Sequence, residues 1–252
     1  MTDISYRNLP WPVRDEVTAA QRQAWDRLGR AGTWLTGRER IAIAAETRNA
    51  SECKLCRDRL AALSPGSVKS EHDHLGELSG ELSEVEVEQI HHIRTDPGRL
   101  ARAWYQDLVA RGMAEERYVE SVGVIATVVA LDTFTEGLGL APWPLPEARA
   151  GEPSRVRPAA ARRQMAWVST LAPEDALGTA NEDLYGGATE AANIVQAMSL
   201  VPEEVKSFFN ICSQQYMTGE QMFDFDNEIR AISHAQIELV AGRVSALNQC
   251  VY

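Results

Sequence analysis

Thr36-Gly37-Arg38-Glu39-Arg40-Ile41-Ala42-Ile43-Ala44-Ala45-Glu46-Thr47-Arg48-Asn49, followed by Ala50-Ser51-Glu52-Cys53-Lys54-Leu55-Cys56, is the stretch on which the reading of this chain turns. Thr36 and Glu39 stand three residues apart, as an N-cap hydroxyl and the carboxylate that reaches back to it do. The helix they open runs through Ile41, Ile43 and Ala45 to about Asn49. Ser51 or Glu52 begins a further helical turn that carries two cysteines and ends near Ser64-Pro65-Gly66.

Outward from this stretch the signals stay helical, and strand alternation is nearly absent, so the expected fold class is all-α. Asp15 to Leu28 reads as a first helix, entered after Pro10 and Pro12. Residues 84–94, 99–112 and 115–138 read as three more, separated by Asp96-Pro97-Gly98 and by Gly112. Tyr118 to Leu131 is apolar on nearly every face, which assigns it to a core or to an interface between copies. From Pro142 to Ala166 prolines alternate with Arg149, Arg155, Arg157, Arg162 and Arg163, the composition of a linker or extended arm. The final helix spaces Ile237, Val240, Val244, Leu247 and Val251 by three and four, one apolar stripe that needs cover from the first region or from another subunit. Self-association into a homo-oligomer is expected from these two helices.

A formal charge of -11 on 252 residues argues against nucleic acid or an anionic membrane as the main partner. No apolar run reaches the ~18–20 residues that span a bilayer. The start, Met1-Thr2-Asp3-Ile4-Ser5, lacks the basic and apolar regions of a signal peptide, so a cytoplasmic location is expected. Four cysteines in a chain this long are no disulfide framework. Cys53 and Cys56 form C-x-x-C, a spacing that in a reducing compartment points to redox work or to metal binding. Zinc usually takes four ligands, and the sequence has no second C-x-x-C and no H-x-x-x-H, which favours redox and leaves no metal expected. Glu71-His72-Asp73-His74 and His91-His92 read as solvated clusters, because neighbours on a helix point apart. Cys212, among Phe208, Phe209 and Ile211, reads as a small core residue.

The segment from Arg38-Glu39-Arg40-Ile41 to Cys53-Lys54-Leu55-Cys56 resembles the core motif of the alkylhydroperoxidase D-like (carboxymuconolactone decarboxylase-like) family: a helix opening with Arg-Glu, then C-x-x-C at the start of the next helix. Arg94-Thr95-Asp96-Pro97, Tyr118-Val119-Glu120 and Leu138-Gly139-Leu140 resemble the remaining helices of that domain. The resemblance implies an alkylhydroperoxidase D-like helical bundle over 1–140, a proline-rich linker over 141–187 and a partial second copy over 188–252. In the second copy Glu238 precedes Cys250 by twelve residues, the family's spacing from glutamate to first cysteine, and the second cysteine would be residue 253. Some members of the family carry selenocysteine in a thiol position. A selenocysteine codon read as a stop is therefore one expectation for the end at Tyr252, and a genuine end or a cloning boundary is the other.

The implied chemistry is hydroperoxide reduction. One cysteine is oxidised to a sulfenic acid, the second condenses with it, and an external protein dithiol reduces the disulfide. No cofactor is required. A helix N-terminus would help ionise Cys53, and Cys56 one turn on would resolve the adduct. Glu39 lies fourteen and Glu46 seven residues before Cys53, against the family's twelve, so either is the expected proton relay. The family's histidine four residues beyond the second cysteine is Leu60 here; His72, His74, His91 or His92 would have to replace it. Two alternatives stand beside the peroxidase: a non-catalytic helical scaffold or oligomerisation module with a degenerate thiol site, and the thiol-independent decarboxylase side of the same superfamily.

Overall fold

The computed structural model describes residues 4–73, 79–248 and 250; His74, Val251 and Tyr252, which entered the readings above, lie outside them. Six helices make up the first part of the chain: α1 (Asp15–Leu28), α2 (Gly37–Asn49), α3 (Lys54–Ala61), α4 (Glu84–Thr95), α5 (Arg102–Ala110) and α6 (Glu115–Gly137). Five follow: α7 (Pro173–Ala176), α8 (Asn193–Gln196), α9 (Pro202–Gln215), α10 (Gly219–Phe223) and α11 (His234–Leu247). A ladder of two residues per strand, β1 (Arg162–Arg163) against β2 (Ser169–Thr170), is antiparallel with Arg162 opposite Thr170. The bundle is helical, as expected.

The helix boundaries follow the local chemistry. Thr36 caps α2 with its side chain on the Glu39 backbone N–H, and the Glu39 carboxylate accepts from Thr36 in return. Ser83 and Glu86 repeat the device at α4. Each cap satisfies backbone donors that the first turn leaves without partners. Arg117 on α6 then bridges the two cap carboxylates, bonding Glu39 at 2.8 Å and Glu86. The starts of α2 and α4 are thereby set at one level in the bundle.

α6 is long and apolar enough to cross a membrane by length and composition, although no unbroken apolar run in it reaches that length. Its surroundings give a different use. It packs against α1, α2, α4 and α9, and Val124, Ile125, Val128 and Leu131 join Trp25, Leu28, Ile43 and Ile90 in one apolar cluster. A second cluster gathers Tyr105, Leu108, Tyr118 and Val119 with Leu171, Leu200, Val201 and Val205. Ile211 of α9 belongs to the first cluster, so packing runs without a break across positions 140 and 188. The proline-rich segment is bound down as well: the Arg149 N–H donates to Gly29 at 2.7 Å and the Arg155 N–H to Thr33 at 2.8 Å.

A buried ionic cluster pins α9 to this bundle. Arg40 of α2 bonds both Glu120 of α6 and Glu204 of α9, and Arg27 of α1 reaches Glu204 at 2.8 Å. Arg40, Glu120 and Glu204 are sealed from solvent. Two glycines leave room for it. A Cβ on Gly123 would stand 2.4 Å from a Glu204 oxygen, and one on Gly32 1.8 Å from a Glu120 oxygen. By contrast, α11 lays Leu239, Val240, Val244 and Leu247 on the outside, so the first region does not cover its apolar stripe.

Candidate metal centre

α2 ends at Asn49, a single 3-10 turn (Ala50–Glu52) follows, and Cys53 takes extended dihedrals as the N-cap of α3. Cys56 is therefore the third residue of that helix. N-cap and N3 side chains fold toward each other, the geometry of a capping box, and here both are thiols. Sulfur is a weak acceptor for the helix N–H groups, and an oxygen from another segment does that work: the Lys54 N–H donates to Asp73 at 2.7 Å. That contact sets His72, the residue before it, over the thiol pair.

His91 arrives from α4. Val87, Ile90 and His91 are spaced so that they share one face of the helix, and all three are buried. An imidazole on an apolar face needs a partner for each nitrogen. His91 Nε2 stands 2.7 Å from Glu46 Oε1, and its Nδ1 lies 3.2 Å from Cys56 Sγ. His72 repeats the pattern: Nε2 is 2.8 Å from Glu88 Oε2, and Nδ1 is 3.6 Å from the sulfur of Cys53 and 3.6 Å from that of Cys56. Glu88 is itself held by Arg59. Two parallel chains, Glu46–His91–Cys56 and Glu88–His72–Cys53, thus converge on one point. The four donor atoms all lie within 4.8 Å of one another.

The electrostatics follow from this convergence. Burial by itself would raise the Cys56 thiol, but hydrogen bonds from His72, His91 and Thr95 and the charge of His91 outweigh it and bring the thiol down to about 6. Burial disfavours the His72 imidazolium, yet bonds to Cys56, Glu88 and Cys53 lift it to about 10. The same opposition, won by Cys56 and Glu46, lifts His91 to about 9. Burial pushes Glu88 up while His72 and Arg59 bring it down to about 2. Thiolates and imidazole lone pairs are the forms that bind a metal, so a cation entering here displaces protons.

The thiol-peroxidase expectation is corrected by this geometry. The two sulfurs stand 3.7 Å apart, against about 2.05 Å for a disulfide bond, and both are engaged by the two imidazoles in a compact ligand cluster. Cys53 is 0% and Cys56 5% exposed, so neither thiol is presented to a protein reductant. The pair is part of a four-donor cage and not a free dithiol.

Of the expected relay carboxylates, Glu46 reaches the cage through His91, whereas Glu39 is occupied by the α2 cap and Arg117. Glu238 accepts from the Tyr216 hydroxyl and lies 3.6 Å from His234, and Cys250 is exposed. Leu60 points outward, 53% exposed. His72 and His91, taken as solvated from the sequence, are the two residues that complete the cluster, and His92 turns to the Trp104 ring instead. The signal for His91 was present in its place on the Val87–Ile90 stripe. His72 has no such mark, because no periodicity governs the irregular segment that carries it.

Comparison of the chain with family profiles, with curated proteins and with solved structures finds no match.

Proposed function

We propose that Cys53, Cys56, His72 and His91 bind one zinc ion in a tetrahedral site, and that the ion fastens a helical scaffold whose thiol pair has no redox turnover. The observation that carries this reading is the set of distances between donors. Bonds of about 2.3 Å to sulfur and about 2.0 Å to nitrogen put the corners of a zinc tetrahedron roughly 3.3–3.8 Å apart. Four of the six donor pairs measure 3.7, 3.6, 3.6 and 3.2 Å, and all six lie within 4.8 Å.

The chemistry of the donors agrees. Two thiolates and two imidazoles suit zinc and exclude the oxygen-seeking magnesium and calcium. Two thiolates also neutralise a divalent ion without further charge. Each imidazole turns its other nitrogen to a carboxylate, Glu46 or Glu88. That arrangement keeps the proton on Nε2 and the Nδ1 lone pair toward the ion. Four protein ligands closed around an ion are the pattern of a structural site.

Such a site meets a local need. α3 has eight residues, and its apolar contacts are Leu55, the two cysteines and Val68. A helix this short does not hold itself in water. The ion would join it to α4 and to the segment carrying His72. In this reading the likeness of residues 38–56 to the alkylhydroperoxidase D-like motif is one of ancestry, with the thiol pair turned from electron transfer to metal binding.

Metal analysis of the full chain tests this directly. One zinc per chain is expected, lost in Cys56→Ser and in His91→Ala. A wild-type chain that neither retains zinc nor takes it up on titration would end the proposal.

A further inference from the structure

The four donors are not held alike. Cys53 and Cys56 are fixed by the start of α3, where the Arg57 N–H donates to Cys53 O at 3.1 Å. His91 sits within α4 with no solvent exposure and Glu46 behind it. His72 comes from an irregular segment. Among the described residues, 69–73 make no backbone–backbone hydrogen bond, and the segment is tied through His72 itself and through Asp73. The His72 side chain keeps 11% of its exposure.

Space lies on both sides of it. A cavity of about 170 Å³ is lined by Cys56, Arg59, His72, His92, Thr95 and Trp104 among others, and so borders two of the donor residues. A second, of about 370 Å³, lies beyond His72 and Glu88 toward Leu82 and Arg111. An apolar cavity of about 150 Å³ accepts a benzene molecule, so the smaller one has room for one flat ring. Its walls are rings too: His92 and Trp104 meet edge to face at 4.7 Å, and the Trp104 indole N–H has no partner among the described residues. Its charges are already matched, Arg59 with Glu88 and Asp96 with Arg99.

We infer that His72 is the exchangeable ligand of the metal, and that the cavity beside Cys56 admits a small neutral nitrogen heterocycle of the imidazole type into the position His72 leaves. This rests on the zinc reading above. One metal–nitrogen bond breaks and another forms; no electron or proton changes hands. The larger cavity receives the displaced side chain. Cys53, Cys56 and His91 then form a three-ligand platform whose fourth position is open to a ligand from outside.

Cobalt(II) substitution of the full chain provides the test, because four-coordinate cobalt bound to thiolate absorbs strongly in the visible range. Wild-type protein is expected to show those bands at one cobalt per chain; if they are absent, the metal reading itself fails and this inference with it. His72→Ala is expected to keep one cobalt with altered bands, and imidazole is expected to restore the wild-type spectrum with a saturable, one-to-one titration. His91→Ala is expected to lose the cobalt. Gly66 also lines the cavity beside Cys56, and a Cβ there meets nothing within 4 Å; adding Gly66→Phe to His72→Ala is expected to fill the cavity and abolish the imidazole effect while the cobalt stays. If His72→Ala loses cobalt as fully as His91→Ala while its circular dichroism remains that of the wild type, His72 is a fixed ligand: the zinc reading survives and the exchange is overturned. Retained cobalt with a spectrum indifferent to imidazole overturns it equally. His72→Gln, closer in volume, repeats the measurement should the alanine variant not fold.

Discussion

Two buried polar clusters sit in this bundle, and they are built on opposite principles. Around Arg40 two guanidinium groups face two carboxylates, so charge balances within the protein, with Arg40 Nε lacking a hydrogen-bond partner among the described residues. Around Cys56 two sulfurs and two imidazole nitrogens, all donors to a metal, converge with their backs against carboxylates. The first cluster is balanced in charge as it stands. The second gathers lone pairs that repel one another unless a proton or, in the reading proposed above, a metal lies between them. Burial alone therefore does not distinguish a structural ion cluster from a binding site; the balance of donors against acceptors does.

The sharpest way to break the contrast is to remove the ion. Chelation of the zinc-loaded chain is expected to lower the melting temperature by about 10 °C. That figure takes a ligand about a thousandfold above its dissociation constant as worth roughly 4 kcal/mol, at ~2–4 °C per kcal/mol for a chain of this size. Calorimetry with and without chelator reads it, and an unchanged melting point would leave the two clusters equivalent.

The ionic cluster offers the complementary break. Arg40→Met strands the buried Glu120 carboxylate, leaves Glu204 with Arg27 alone, and is expected to cost about 3–5 kcal/mol. The triple variant Arg40→Met, Glu120→Leu, Glu204→Leu is expected to recover most of that in urea denaturation, since hydrocarbon can replace a self-contained ion cluster. No hydrocarbon variant of the Cys56 cluster is expected to recover in this way. Failure of the triple variant to recover would mean that the ions set the fold as well as filling it.

Smaller changes sharpen the picture. Glu46→Gln keeps the packing but weakens the support of His91, and a 10–100-fold loss of zinc affinity is expected from competition titration. Thr36→Ala removes a cap far from the donors; about 1 kcal/mol of stability is expected to go, with zinc affinity unchanged. Cys212 gives the finest comparison. Burial lifts its thiol to about 11, so at pH 8 roughly one in a thousand is ionised. Its pKa is above the ordinary value, so its reactivity rises with pH through about 11 and is suppressed below it. A disulfide reagent at pH 8 is expected to modify exposed Cys250 quickly and Cys212 slowly; equal rates would refute the burial argument.

Much of the helical frame was legible in the residues. Asp15 and Leu28 bound α1 as read, and the Thr36–Glu39 box stands where its spacing placed it. The run from Tyr118 to Leu131 is a core helix, since α1, α2, α4 and α9 cover it. What escaped was the surroundings of Cys53 and Cys56. Without a local second pair the sequence disfavours zinc, yet two imidazoles reach the thiols from 16 and 35 residues beyond Cys56. Ligand spacing in sequence is informative only when all four donors share one short motif. Arg40 was legible as part of a motif and not as the centre of an ion cluster, because its partners lie 80 and 164 residues away.

From the residues alone follow the first six helices, the cap of α2, the enclosed character of α6 and the closeness of two thiols at one helix start, since each depends on neighbours within a few positions. Packing α4 and the segment around His72 onto that helix start decided that the buried thiols meet imidazoles. That outcome depends on where distant backbones come to rest, which periodicity does not encode. A pair of cysteines one turn apart is compatible with electron transfer and with metal binding, and the groups that tertiary structure brings within bonding distance select between them.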